Sequence, residues 1–156
     1  MSNNRVKFSN NVFKNLSNLT YLNMSLSSFN DENLQCLSKL VELNVNSCPN
    51  LTDNIFKYFP NLEKLDIGNC LQFSNNIFKT LPNLTELKIW SCLQLTDEIF
   101  NYLPNLADLD CTNCDQLTNS FDKIPCLTTL LQGKWFCGYP VEIVDNLVSR
   151  GIDVSF

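Results

Sequence analysis

The sequence contains no histidine and only four glycines. The first absence removes Ser-His-Asp and Cys-His catalysis together with the commonest metal ligand. The second leaves no glycine-rich phosphate loop. Basic charge is scarce as well, with 11 Lys and Arg against 16 Asp and Glu, a net charge of −5. Nucleic-acid surfaces and surfaces for anionic membranes both need clustered cations, so neither partner is expected. No run approaches the roughly 18 apolar residues of a membrane span. The opening MSNNRVKFSNN lacks the apolar stretch of a secretory signal, so a cytoplasmic, intracellular location is the expectation. Carboxylate pairs exist, Asp108 and Asp110 among them, but no nucleophile stands beside an evident base. No enzyme activity and no cofactor are expected.

What the chain does have is ordinary bulk and unusual order. Its 156 residues, 44% of them apolar, suit a single domain with a real core. Asparagine is abundant, at 23 residues, alongside much Phe, Ile and Lys. That bias suits an AT-rich genome, such as an amoeba's or that of a large virus infecting one; for a viral chain the expected place is the host cytoplasm. The Asn-x-Ser/Thr triplets at Asn15, Asn18, Asn23, Asn50 and Asn83 are numbers that chance supplies in so Asn-rich a chain.

The order is a repeat. LTDNIFKYFPNLEKLDIGNC (51–70), FSNNIFKTLPNLTELKIWSC (73–92) and LTDEIFNYLPNLADLDCTNC (95–114) succeed one another every 22 residues. Leu19, Leu40, Leu62, Leu84, Leu106 and Leu127 each open a unit, and four units read L-x-x-L-x-L-x-x-C. Positions four and six alternate as in a strand. Then come a turn and a short helical piece. Thr96 can cap such a piece, with Asp97 and Glu98 in its first turn. Ile99, Phe100 and Leu103 can share a face, and Pro104 forbids a longer helix. Phe13, Phe56, Phe78, Phe100 and Phe121, with Leu34, recur with the unit and read as core. Parallel strands joined by such returning segments stack as a coil.

The pattern L-x-x-L-x-L-x-x-C followed by LTD resembles the cysteine-containing leucine-rich repeats, such as those of F-box substrate receptors, over nearly the whole chain. The resemblance implies an α/β, right-handed solenoid. Six or seven short parallel strands line its concave face, and short helices its convex face. It also implies a non-enzymatic protein-binding module, with a link to substrate recognition for ubiquitination. No F-box is expected, since the repeats begin by about Phe8, and on that expectation the link would need another protein. Ser27 and Trp135 stand where the first and last units should carry the ladder cysteine. The first unit is preceded by a convex half-unit, FSNNVFKNLSNL (8–19). At the other end Pro140, Val141, Val144, Leu147, Val148 and Gly151 predict a capping helix over about 140–150. Ile152 and Val154, 22 residues beyond Leu130 and Gln132, predict a terminal strand over about 152–154.

Cys48, Cys70, Cys92 and Cys114 are expected to form a buried column about 5 Å apart, the spacing of strands. There a small, weakly polar side chain can answer buried backbone groups. Parallel Cβ directions and the missing signal favour reduced thiols over disulfides. Cys111, Cys114, Cys126 and Cys137 admit a second reading as four zinc ligands. Periodicity explains three of the four: Cys111 takes the strand position of Ile67 and Ile89, Cys114 is a ladder residue, and Cys126 takes the slot of Asn83 and Asn105.

On the concave face, position three reads Tyr21, Glu42, Lys64, Glu86, Asp108, Thr129, and position five reads Asn23, Asn44, Asp66, Lys88, Asp110, Leu131. Lys64 is expected between Glu42 and Glu86, and Lys88 between Asp66 and Asp110, pairing across strands. Negative charge is left over near Asp108 and Asp110. Trp90, at position seven between Gly68 and Thr112, is either an anchor for a partner or a ring lying flat over Gly68. Trp135 reads as packing and Tyr21 as a secondary contact. The expected partner is a protein or peptide gripped by Trp90, Lys88, Glu86, Asp66, Lys64, Asp108, Asp110 and Tyr21. The chain itself is expected to be a monomer or weak homo-oligomer. A structural protein that assembles through its strand edges is the alternative.

Overall fold

A computed structural model describes residues 12–118, 120–133 and 141–156. Within them lie seven three-residue strands: β1 (Tyr21–Asn23), β2 (Glu42–Asn44), β3 (Lys64–Asp66), β4 (Glu86–Lys88), β5 (Asp108–Asp110), β6 (Thr129–Leu131) and β7 (Asp153–Ser155). They form one parallel sheet in chain order. Each register follows from the repeat: Leu22, Leu43, Leu65, Leu87, Leu109, Leu130 and Val154 lie side by side. From Leu43 to Leu130 this row is buried, and its flanking residues face the opposite side, as the two-residue period of a strand requires.

The last unit departs from expectation. Leu130 pairs with Val154, not Ile152, because a true α-helix, α2 (Val141–Ser149), lengthens the return path. Ile152 is instead buried at the entry to β7, its N–H bonded to the Leu147 carbonyl at 3.1 Å. Phe8, Trp135, Cys137 and Pro140, and the side chain of Val141, fall outside the described residues.

The convex segments are mostly 3-10 helix: Asp53–Tyr58, Asn75–Thr80, Asp97–Tyr102 and Ser120–Lys123. Among the described residues only α1 (Asp31–Leu34) and α2 are α-helical. The difference is the proline that closes each 3-10 segment and that α1, itself four residues long, lacks. Phe59, Leu81 and Leu103 directly precede prolines and leave helical geometry, at φ −120°, −124° and −120°. A residue before proline is pushed out of the α region, and six residues suffice for a short 3-10 run. Between these segments and the sheet lie Leu34, Phe56, Phe78, Phe100 and Phe121, all buried, with Phe13 partly so. Phe56 meets Phe73 edge-on at 5.0 Å, and Phe100 meets Phe121 at 5.3 Å.

Side chains tie each unit to the one before. Asn83 and Asn105 donate to the carbonyls of Pro60 and Pro82, at 3.1 and 3.0 Å. Asn50, Gln72 and Gln94 donate to the carbonyls of Ser28, Cys48 and Cys70, at 2.9, 2.8 and 3.0 Å. The T-D pair of the motif works across units too. The Asp31 carboxylate accepts from the Thr52 N–H (2.9 Å) and hydroxyl (2.6 Å), as Asp97 does from Thr118 (2.8 and 2.9 Å). Thr52 and Ser74 also cap their own helices, accepting from Asn54 and Asn76. Thr96 does not, contrary to expectation. Its rung has Asn75 in place of Asp, and the Asn75 amide donates to Thr96 Oγ1 at 2.8 Å, taking the acceptor the cap would use.

Candidate functional site

The sheet is held from behind by the cysteine column. Cys48, Cys70, Cys92 and Cys114 are buried. Each thiol donates to a carbonyl of the preceding unit: Met24 at 3.1 Å, Val45 at 3.3 Å, Ile67 at 3.2 Å and Ile89 at 2.9 Å. The same carbonyls of Val45, Ile67 and Ile89 accept the N–H of their own unit's cysteine, so the thiol fills a second lone pair that burial would leave empty. Burial pushes Cys92 up to about 12 and Cys114 up to about 11, and raises Cys70. These thiols therefore stay protonated and able to donate. In the first unit Ser27 takes the slot, 3.4 Å from Cys48 Sγ.

The zinc reading gains no geometry from the described residues, where no group of three or more His, Cys, Asp or Glu side chains converges. Cys111 is buried, with Gln132 Nε2 3.8 Å from its sulfur. Cys114 is aimed at Ile89, and Cys126 is exposed. Cys137 lies outside the described residues.

Turns deliver the chain from sheet to core through a left-handed residue at position eight of five successive units. Leu26, Ser47, Asn69, Ser91 and Asn113 have φ between 53° and 59°. No glycine occupies the slot. Instead each N–H donates to a carbonyl at position seven of the following unit, at 2.7–3.0 Å. The αL strain, about 1–2 kcal/mol for an ordinary side chain, is held by that bond and the packing beneath it.

The front of the sheet is polar and open. Lys64 and Asp108 are exposed, and Glu86, Asp66 and Asp110 are half-buried. Lys64 Nζ pairs with Glu86 at 3.0 Å, as the column order predicts. Lys88 does not pair with Asp66 or Asp110; it turns along its own strand to the other oxygen of Glu86, also at 3.0 Å. Asp66 is already engaged by the Asn44 amide and the Gly68 N–H, both at 3.0 Å, and Asp110 by the Thr112 N–H at 3.1 Å. Glu86 thus sits between two ammonium groups. Its hydrogen bond to Lys88, then that to Lys64, holds its carboxyl below the usual range. Bonding to Glu86 raises Lys64 and Lys88 in turn.

Trp90 takes the second of its two sequence readings. A Cβ built on Gly68 would fall 2.0 Å from the indole Cε2 and 2.1 Å from Nε1, so the ring lies flat against that glycine, half-buried. Tyr21, on β1, is 52% exposed. Sequence reasoning gave no weight to Leu131, which is 40% exposed on the same polar face. Its signal was a leucine in a column otherwise made of Asn, Asp and Lys. Two hollows mark the face. One of about 50 Å3 spans β2–β4 around Lys64 and Asp66. The other, about 190 Å3, spans β4–β6 around Asp108, Asp110 and Leu131. Among the described residues no helix is long and apolar enough to cross a membrane.

No family model and no curated protein matches the chain. Solved structures do. A chain of the Toll–Spatzle complex, a molecular hub in Drosophila development and innate immunity, is 18% identical with a TM-score of 0.64, over 82% of this chain and 18% of its own. A chain of the Rad7–Elc1 complex in yeast is 20% identical with a TM-score of 0.51, over 81% of this chain and 44% of its own. A chain of the TLR13–ssRNA13 complex is 26% identical with a TM-score of 0.61, over 77% of this chain and 19% of its own. This chain spans less than half the length of each of these neighbours. The likeness establishes the fold as a leucine-rich-repeat solenoid.

Proposed function

We propose that this leucine-rich-repeat solenoid is a non-catalytic module that holds a protein or peptide partner on the front of its sheet. The carrying observation is the inner face itself. Its backbone is fixed from behind by the thiol and turn ladders, while its front carries half-open charges and the exposed Tyr21 and Leu131. A rigid polar face with a few exposed anchors suits recognition, because little ordering entropy is lost on binding. Two neighbours in fold were solved as the protein complexes Toll–Spatzle and Rad7–Elc1, which supports the reading. A third was solved with ssRNA13. Here the carboxylates of the face repel phosphate, which favours a protein over RNA.

The test is a capture experiment with the purified chain as bait against a quadruple variant, Tyr21→Ala, Trp90→Ala, Asp108→Asn, Leu131→Ser. Partners held by wild type and lost by the variant support the reading; an unchanged partner set overturns it. A ligase subunit among those partners would establish the link to ubiquitination that the repeat pattern implies. Each ladder thiol faces a backbone carbonyl of the preceding unit, the arrangement of a reduced column, and we place the chain inside the cell on that ground.

A second reading has its own observation. Among the described residues β7 has β6 as its one neighbour in the sheet, and Phe156 beside it is 69% exposed in this 156-residue chain. An open parallel edge can accept a strand of another copy. Size that rises with concentration in sedimentation would favour assembly over partner capture.

A further inference from the structure

The two hollows of the sheet differ in a way that identifies what the larger one takes. In the smaller, over β2–β4, two lysines answer the acids: Lys64 and Lys88 share Glu86, Asp66 is bonded by Asn44 and Gly68, and Glu42 lies in the field of Lys64. In the larger, over β4–β6, Glu86 and Lys88 also stand in the lining, paired with each other at 3.0 Å, and Lys88 lies in the field of Asp110. Asp108 is exposed and has no ion pair among the described residues, and Asp110 uses one oxygen on the Thr112 N–H. Directly beside Asp110, in register, stands the exposed Leu131, and beside Asp108 stands Thr129. One wall is therefore aliphatic and the other carries a net excess of negative charge, since Lys88 is bonded to Glu86 and leaves Asp108 and Asp110 without an ion pair among the described residues, around a space of about 190 Å3.

We infer that this β4–β6 hollow receives a lysine or arginine side chain of the partner, its aliphatic stem lying on Leu131 and its cationic head reaching Asp108 and Asp110. Lysine and arginine bury an apolar stem while keeping the charged end near water, which is the division the two walls present. A neutral apolar side chain would leave the carboxylates unanswered, and an acidic one would be repelled. The inference rests on the inner-face reading and narrows it to one part of the face and one chemical class.

The experiment uses the full chain, labelled with 15N. It is titrated with four probes, the N-acetyl N-methylamides of lysine, arginine, norleucine and glutamate. Lysine and arginine probes should shift the amides of 108–110 and 129–131, and raised salt should weaken the effect. Norleucine should shift the same amides at least about threefold less strongly, and glutamate should not shift them. Asp108→Asn with Asp110→Asn should reduce the lysine response to the norleucine level. Leu131→Ser should weaken lysine and norleucine alike. These substitutions lie on the open face, and an unchanged spectrum elsewhere shows that the fold persists. Equal responses to lysine and norleucine overturn the proposal, as do shifts spread over Glu42, Glu63 and Asp153 alike, or no shift at 108–110 and 129–131. Any of those outcomes leaves the capture experiment free to succeed on other inner-face residues, so the two readings fail separately.

Discussion

A residue can be read by its φ angle or by what its side chain touches, and the two disagree most at Leu26. It holds φ 59° yet is 80% exposed, so it bears the left-handed strain without burying its side chain. Leu26→Asn keeps the turn and removes much of that strain, as Asn69 and Asn113 already do in their units. We expect a gain of about 1 kcal/mol, read as a higher urea midpoint; a loss would show that Leu26 packs on something else. Gly68 is the converse, a glycine required by a neighbour rather than by its own backbone. Gly68→Ala must displace the Trp90 indole. With Trp135→Phe as background, its emission should move to the red, at a stability loss below about 2 kcal/mol because the ring can swing to solvent. At the cysteines, alkylation of the native protein should modify Cys126 well before Cys92 or Cys114, read by peptide mass spectrometry. The first is exposed, while burial suppresses the thiolate of the others.

At the scale of elements, the ion-paired column is a local device with a defined pH window. Glu86 is depressed by its lysines, so its contribution is complete above its unfolded pKa of about 4.3 and is lost as pH falls through the lower folded value. Lys64 and Lys88 are raised, so theirs is complete below about 10.4 and lost as pH climbs through the raised values. Glu86→Gln should therefore cost up to about 1 kcal/mol at pH 7. The difference from wild type should vanish toward pH 2 and shrink in high salt. A constant difference across that range would assign the effect to packing. Strand positions and register were legible in the sequence, because a buried leucine every 22 residues leaves no alternative face. The partner of Lys88 was not. A column order gives neighbours across strands, but Lys88 finds the free oxygen of Glu86 on its own strand, while Asp66 has both oxygens engaged and Asp110 turns one to the Thr112 N–H. The two-residue shift at β7 was hidden for a similar reason, since it depends on how long the return path is. The cross-unit role of the T-D pair was in plain view, but as a cap and a first-turn acid each residue already had a sufficient local explanation.

For the whole molecule, each unit contacts only its neighbours among the described residues, and stability is close to a sum over interfaces. A defect in the middle is therefore felt on both sides. Phe78, fully buried between its neighbours' convex segments, is the place to test this. Phe78→Ala should cost about 3–5 kcal/mol, with hydrogen exchange quickening in β3 and β5 as well as β4. A loss under about 1 kcal/mol would contradict the stacked core. The side-chain ladders add a direction to this one-dimensional build. In nearly every rung the later unit brings the donor: a thiol, a carboxamide, a hydroxyl. The earlier unit offers a carbonyl or carboxylate. A chain leaving the ribosome emerges from its N-terminal side first. Each newly extruded coil thus meets carbonyls and carboxylates already in place for its side-chain donors, while the position-eight N–H of the finished coil waits for the carbonyl that the new one brings. The two ladders run in opposite senses, so a coil is satisfied on both counts only once its successor has docked.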